Sequence, residues 1–284
     1  IVTNDHVNLV WRHLPLPQHE PAGSREARRV ECLGQRESRE GVWESVLRIY
    51  LHTQRNGRGL AAGHDYPDIG PSLQRCLAGE RAAQVVDTQK AQALENGFNT
   101  TPTLRLTDNA QTRHWWPQAF EAQLQIDLTP GDLRLTLRVH NTDTQPLAFS
   151  GALHTYFAVA DVTQATLLGL GGLAEWDSLT NTHARAPDTL RFAAEFDRVY
   201  AADAHTPRQP MTLNQSLRIS QSPCWANTVV WNPAQDLCKH LADMPDDGWR
   251  QMLCVEAAQV YDPITLPVGG RWEGWQRLQV FADA

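Results

Sequence analysis

His154 and Tyr156 stand two residues apart in the run Gly151-Ala-Leu-His-Thr-Tyr-Phe157. On a strand, that spacing puts the imidazole and the phenol on one face and Leu153, Thr155 and Phe157 on the other. An imidazole held on a sheet surface beside an aromatic ring can give or take a proton near neutral pH. A hydrogen-bonded core histidine fits the same pattern, and the segment taken alone favours it. Glu256 lies in Met252-Leu-Cys-Val-Glu-Ala-Ala-Gln259, an apolar stretch with no Lys or Arg beside it. Desolvation there disfavours the charged form and raises the carboxyl pKa, which suits a general base or acid. Equally, such a Glu can pair with an arginine distant in the chain. Asp197 and Arg198, in Glu195-Phe-Asp-Arg-Val-Tyr200, face opposite sides of any strand, so only one of them can enter a given pocket. Asp197 could accept hydrogen bonds from sugar hydroxyls, or sit in a surface turn. Trp225, Trp231 and Trp249 offer faces of the kind that stack on pyranose rings, although most of the ten tryptophans of a sandwich belong to its core.

Other chemistries find no support. There is no HExxH, no GxxxxGK[ST], no GxGxxG after a strand and no GxSxG elbow. Asp243, Asp246 and Asp247 are close together, but Pro245 and Gly248 make that segment a solvated loop rather than a calcium loop. A net charge of -7 argues against a nucleic-acid surface, which needs clustered Lys and Arg. No run of eighteen apolar residues is present, so no membrane-spanning helix is expected. The five cysteines (Cys32, Cys76, Cys224, Cys238 and Cys254) are odd in number and show no CxxC spacing, which indicates reduced thiols. Ile1 to Arg12 lacks the basic-then-apolar order of a secretory signal. Together these give the expectation of a cytoplasmic protein.

The elements that must position these residues are strands. Leu133, Leu135, Leu137 and Val139 alternate with Arg134, Thr136, Arg138 and His140, the period of a half-buried antiparallel strand. Phe120 to Leu128 alternates likewise, and Thr129-Pro-Gly-Asp132 is the turn between the two. Further strands are expected at Thr103–Thr107, Ala148–Phe157, Ala165–Leu170, Leu217–Ser220, Thr228–Trp231, Met252–Glu256 and Trp275–Phe281. Turns are expected at Asn141–Pro146, Asp203–Pro210, Pro233–Asp236 and Asp262–Gly270. Many short strands at this spacing predict an all-β antiparallel sandwich. The first hundred residues lack clean alternation, and a helix is expected near Leu73–Leu94. With no low-complexity linker in 284 residues, a single domain over 1–284 is expected.

Taken in order, several segments resemble the aldose 1-epimerase family, in its hexose-6-phosphate mutarotase (glucose-6-phosphate 1-epimerase) branch. They are Leu104-Arg-Leu-Thr-Asp-Asn-Ala-Gln-Thr-Arg113, Trp116-Pro-Gln-Ala-Phe120, Ala152-Leu-His-Thr-Tyr-Phe157 and Gly169-Leu-Gly-Gly-Leu173. Asp197-Arg-Val-Tyr200, Thr228-Val-Val-Trp-Asn-Pro233, Met244-Pro-Asp-Asp247 and Cys254-Val-Glu256 follow. The resemblance implies a galactose mutarotase-like antiparallel supersandwich with an open sugar cleft. It also implies a catalytic pair in which His154 protonates the ring oxygen and Glu256 takes the proton of the anomeric hydroxyl. Asp197 falls where the family holds sugar hydroxyls, and neither a metal nor an organic cofactor is implied. The expected partner is a sugar or sugar phosphate, the expected state a monomer. The family's N-terminal Arg-Gly-Gly and His-Gly-Phe-Ala-Arg segments have no counterpart between Ile1 and Thr100, so no role is carried there. A carbohydrate-binding module that kept the cleft without turnover is the main rival. A sandwich-fold glycoside hydrolase or lyase is weaker, because hydrolases want two convincing carboxylates. For anomer exchange, His154 and Glu256 are expected to face one cleft, roughly 5–9 Å apart.

Overall fold

The computed structural model describes residues 103–280, except 116, 130, 204–206 and 242–243, together with the backbone of four strands nearer the N-terminus. Those four are β1 (Asn8–Trp11), β2 (Glu31–Leu33), β3 (Ser45–His52) and β4 (Gln84–Val85). The helix expected over 73–94 lies outside the described residues apart from Gln84–Val85, which is strand.

The clearest alternation gives the clearest hairpin. In β6 (Phe120–Thr129), Phe120, Ala122, Leu124 and Ile126 are buried while the residues between them are half-exposed. In β7 (Asp132–Asn141), Leu133, Leu135, Leu137 and Val139 are buried in register with them. Gly131 turns the chain with φ +72°, a conformation that costs glycine least.

Two antiparallel sheets result, each of nine strands among the described residues. One runs β12 (Thr189–Arg191), β9 (Thr166–Leu168), β14 (Met211–Leu213), β15 (Leu217–Gln221), β18 (Arg271–Val280), β7, β6, β5 (Thr103–Thr107), β4. The other runs β11 (Thr182–Arg185), β10 (Ala174–Asp177), β13 (Phe196–Ala201), β16 (Asn227–Asn232), β17 (Met252–Leu266), β8 (Leu147–Ala158), β3, β1, β2. Leu137, Phe149, Leu153, Phe157, Leu253 and Val255 belong to one continuous core. Two short helices, α1 (Ala110–Trp115) and α2 (Ala234–Cys238), serve as connections.

Three details depart from the sequence-based expectation. β10 to β14 are additional strands, brief enough that alternation barely registers; β11 is exposed at all four residues and so has no pattern to read. Asp262–Leu266, expected as turn, continues β17, because extra residues at a bulge interrupt the alternation there. The strand expected from Trp275 begins four residues earlier, at Arg271.

Candidate active site

The second sheet places the chemistry in its middle, on the face away from the core. β17 lies between β16 and β8. Its register with β8 pairs Cys254 with Tyr156 and Ala257 with Leu153, which sets Glu256 directly across from His154. On its other side Glu256 faces Val229 of β16. Directly opposed residues share a sheet face, and alternate residues along each strand join them, so His154, Tyr156, Glu256, Cys254, Val229 and Trp231 form one surface. Asp197 of β13 is paired with Trp231 and therefore stands on that surface too. Arg198, one residue on, points to the other face, where it binds Glu175 at 3.2 Å and Asp177 at 3.1 Å. On that inner face, burial and the Glu175 carboxylate raise the Tyr200 hydroxyl pKa far above its ordinary value.

His154 Nε2 lies 3.0 Å from Glu256 Oε1, within hydrogen-bond distance. This is closer than the 5–9 Å expected from the sequence. The reason is the register: facing positions on neighbouring strands have Cβ atoms about 5 Å apart, close enough for the two side chains to meet. The imidazole stacks on Tyr156 (centroids 4.8 Å apart, 18° between planes) and meets the edge of Trp231 at 6.0 Å. These rings restrict the imidazole to one plane, so its Nε2 stays aimed at the carboxylate. Met244, Met252 and Cys254 pack around Tyr156 and Trp231.

Glu256 is only 5% exposed and Asp197 8%. Burial pushes the Glu256 carboxyl well above the usual carboxylate range, and the negative charge of Asp197 pushes it further. Two acids and one imidazole thus share a face walled by aromatic rings. This arrangement can hold a proton on one group while another accepts one, with little competition from water.

Of the three tryptophans singled out in the sequence, Trp231 alone lines this face. Trp225 is fully buried against Trp272, and Trp249 packs on the main core with Arg250 over its ring. Tyr156 has a part at the site that the His-x-Tyr spacing signalled. Trp176 on β10 stands on the same face and was not signalled, because β10 is too short to show a period. Cys224, Cys238 and Cys254 are free thiols. Among the described residues, no group of three or more His, Cys, Asp or Glu is placed to hold a metal ion, and no helix is long and apolar enough to cross a membrane.

Comparison with known proteins gives the family and the fold. Residues 84–279 match the model of the family described as aldose 1-epimerase. A protein of Cenchrus ciliaris, provisionally named glucose-6-phosphate 1-epimerase, is 35% identical over 167 residues, covering 56% of this chain and 50% of that protein. An Escherichia coli K12 protein with the same provisional name is 28% identical over 228 residues, covering 76% and 73%. The chain therefore spans about half the length of the first relative and about three quarters of the second. Among solved structures, a provisionally named mutarotase from Salmonella typhimurium superposes with a TM-score of 0.65 at 22% identity, over 84% of this chain and 74% of that one. A Synechocystis protein does so with a TM-score of 0.59 at 19% identity, over 83% and 78%.

Proposed function

Since the chain belongs to the aldose 1-epimerase family, we propose that it is an isomerase exchanging the α and β anomers of an aldohexose through His154 and Glu256. The observation that carries this is the pair itself: an imidazole and a desolvated carboxylate 3.0 Å apart on an aromatic-walled sheet face.

In a pyranose, the ring oxygen and the anomeric hydroxyl are both bonded to C1, so a neighbouring acid and base can reach both at once. Ionised Glu256 takes the proton of the anomeric hydroxyl, and the electrons of that O–H bond form the C1 carbonyl. The bond from C1 to the ring oxygen breaks, and the ring oxygen takes its proton from His154. Rotation about C1–C2 presents the other carbonyl face. Reclosure runs the transfers backwards and returns each proton to its donor, so the site is reset in every cycle. Asp197, on the same face, accepts hydrogen bonds from sugar hydroxyls and keeps the Glu256 carboxylate basic. Positioned groups of this kind contribute about 10²–10⁴-fold each.

Hexose 6-phosphate is the preferred substrate in this proposal, supported by the names of the relatives and by the ordered motifs from Leu104 to Glu256. The experiment is anomer exchange of glucose and of glucose 6-phosphate, followed by NMR saturation transfer. Wild type is expected to exceed the buffer rate, with glucose 6-phosphate ahead of glucose. Glu256→Gln is expected to return the rate to background while the fold persists. Wild-type exchange equal to buffer for both sugars would overturn catalysis and leave a sugar-binding module.

A further inference from the structure

We propose that Gln276, reaching across the core from the opposite sheet, is a positioning residue for the His154–Glu256 pair. The proposal rests on the anomer exchange proposed above and adds to it a residue that touches neither sugar nor proton.

Gln276 lies on β18, on the strand face that Gly274 and Leu278 also turn to the core, and its exposure is 0%. A buried primary amide costs stability unless its polar atoms find partners. Both atoms of this one find theirs in the other sheet. Nε2 donates to the Val255 carbonyl at 2.9 Å, and Oε1 accepts from Thr155 Oγ1 at 2.5 Å.

The two contacts fall beside the catalytic pair. The Val255 carbonyl belongs to the planar peptide unit that joins Val255 to Glu256, so holding that oxygen holds the plane from which Glu256 departs. Thr155 is the chain neighbour of His154, and its side chain enters the core because that of His154 faces the other way. One amide thus grips β17 and β8 from behind, one residue from the carboxylate and one from the imidazole. Register aligns the two strands along their length; the brace fixes the height and tilt of each against the sheet beneath. A shift of about 1 Å in either would spoil the 3.0 Å approach of His154 Nε2 to Glu256 Oε1.

A second glutamine makes the same brace away from the pair. Gln221 of β15 is the cross-strand partner of Gln276 and is also buried. It accepts from Thr228 Oγ1 at 2.9 Å and donates to the Asn227 carbonyl at 2.8 Å, both in β16. The two glutamines therefore tie β16, β17 and β8, the middle strands of the site-bearing sheet, to the opposite sheet. Their chemistry is alike, but of the two only Gln276 engages the chain neighbours of His154 and Glu256.

The test is the kinetics of anomer exchange by NMR in Gln276→Met and Gln221→Met, with thermal melts alongside. Both variants lose the same kinds of bond, and both are expected to lower Tm. Gln276→Met is expected to lower kcat about ten- to a hundredfold with KM within about twofold of wild type, whereas Gln221→Met keeps kcat within about twofold. Thr155→Val, which removes the hydroxyl and keeps the shape, is expected to lower kcat in the same direction; Thr155→Ser, which keeps the hydroxyl, is expected to retain it. Equal kcat losses in the two glutamine variants, or an unchanged kcat in Gln276→Met, would overturn the assignment. If Gln276→Met does not fold, the two Thr155 variants decide by the same criterion. Should wild type exchange no sugar, the catalytic proposal fails, and the imidazole signals of His154 in heteronuclear NMR decide the brace alone. Their displacement in Gln276→Met or Thr155→Val but not in Gln221→Met sustains it; signals unmoved, or moved alike in all three, end it.

Discussion

Asp197 and Glu256 share one sheet face, and that proximity gives the site a pH signature. In the proposed mechanism Glu256 must be ionised to accept the anomeric proton, so the rate is expected to fall as pH drops through its raised pKa. Asp197→Asn removes the like charge that raises it. The acid limb of the kcat/KM profile is therefore expected to move to lower pH, alongside a higher KM from the lost hydroxyl contact. A limb that stays in place would refute the electrostatic role. The same shift bears on stability. A carboxyl whose pKa is raised by folding contributes stability below its unfolded pKa, about 4.3, and loses it as pH climbs through the folded value. Glu256→Gln does not titrate, so its Tm is expected to exceed that of wild type at neutral pH by about 2–4 °C per kcal/mol recovered, with the gap closing towards pH 4. Thermal melts across pH check this, and they separate a cost accepted for chemistry from a structural ion pair.

At the scale of elements, Gly274 of β18 shows how tightly the sheets meet. It is buried opposite Leu137, and a Cβ there would run into the Trp272 ring and come within 2.6 Å of Trp225 Nε1. Both are rigid indoles in edge-to-face contact, with centroids 4.6 Å apart, so neither can yield cheaply. Gly274→Ala is expected to destabilise by about 1–3 kcal/mol, the usual cost of overpacking, read from urea unfolding. What the sequence discloses follows the same physics. The β6–β7 hairpin was legible because each strand has one wet and one dry face over ten residues, and His154 and Glu256 because each interrupts an apolar strand. β10, β11 and β13 were not legible as strands. They are four to six residues long and carry polar side chains on both faces, with Arg198, Glu175 and Asp177 paired on one side and Asp197 and Trp176 on the other. Direct contact between His154 and Glu256 was equally invisible, since it depends on the register of β17 against β8, which no local pattern encodes.

Across the whole molecule, the two sheets are tied together where the chain passes from β17 to β18. Asn141, at the end of β7 and fully buried, donates from Nδ2 to the carbonyls of Gln145 (2.9 Å), Leu266 (3.1 Å) and Pro267 (3.0 Å). Asn141→Ala strands those carbonyls without a donor and is expected to cost about 1–3 kcal/mol, lowering Tm by several degrees. Asn141→Asp, which keeps the shape but supplies acceptors in place of donors, is expected to be at least as damaging; a neutral result for either would mean that the crossover is held by packing alone. The position of β17 has a further consequence, in time rather than in space. Its neighbours β16 and β8 come from 227–232 and 147–158, so the carboxylate reaches its imidazole only after about a hundred residues of intervening chain have been looped out. Long-range pairing of this sort closes late and slowly. An inert sheet therefore precedes the pairing of β17 with β8, and recovery of anomer exchange after dilution from urea should trail the recovery of strand signal, serving as a clock for that closure.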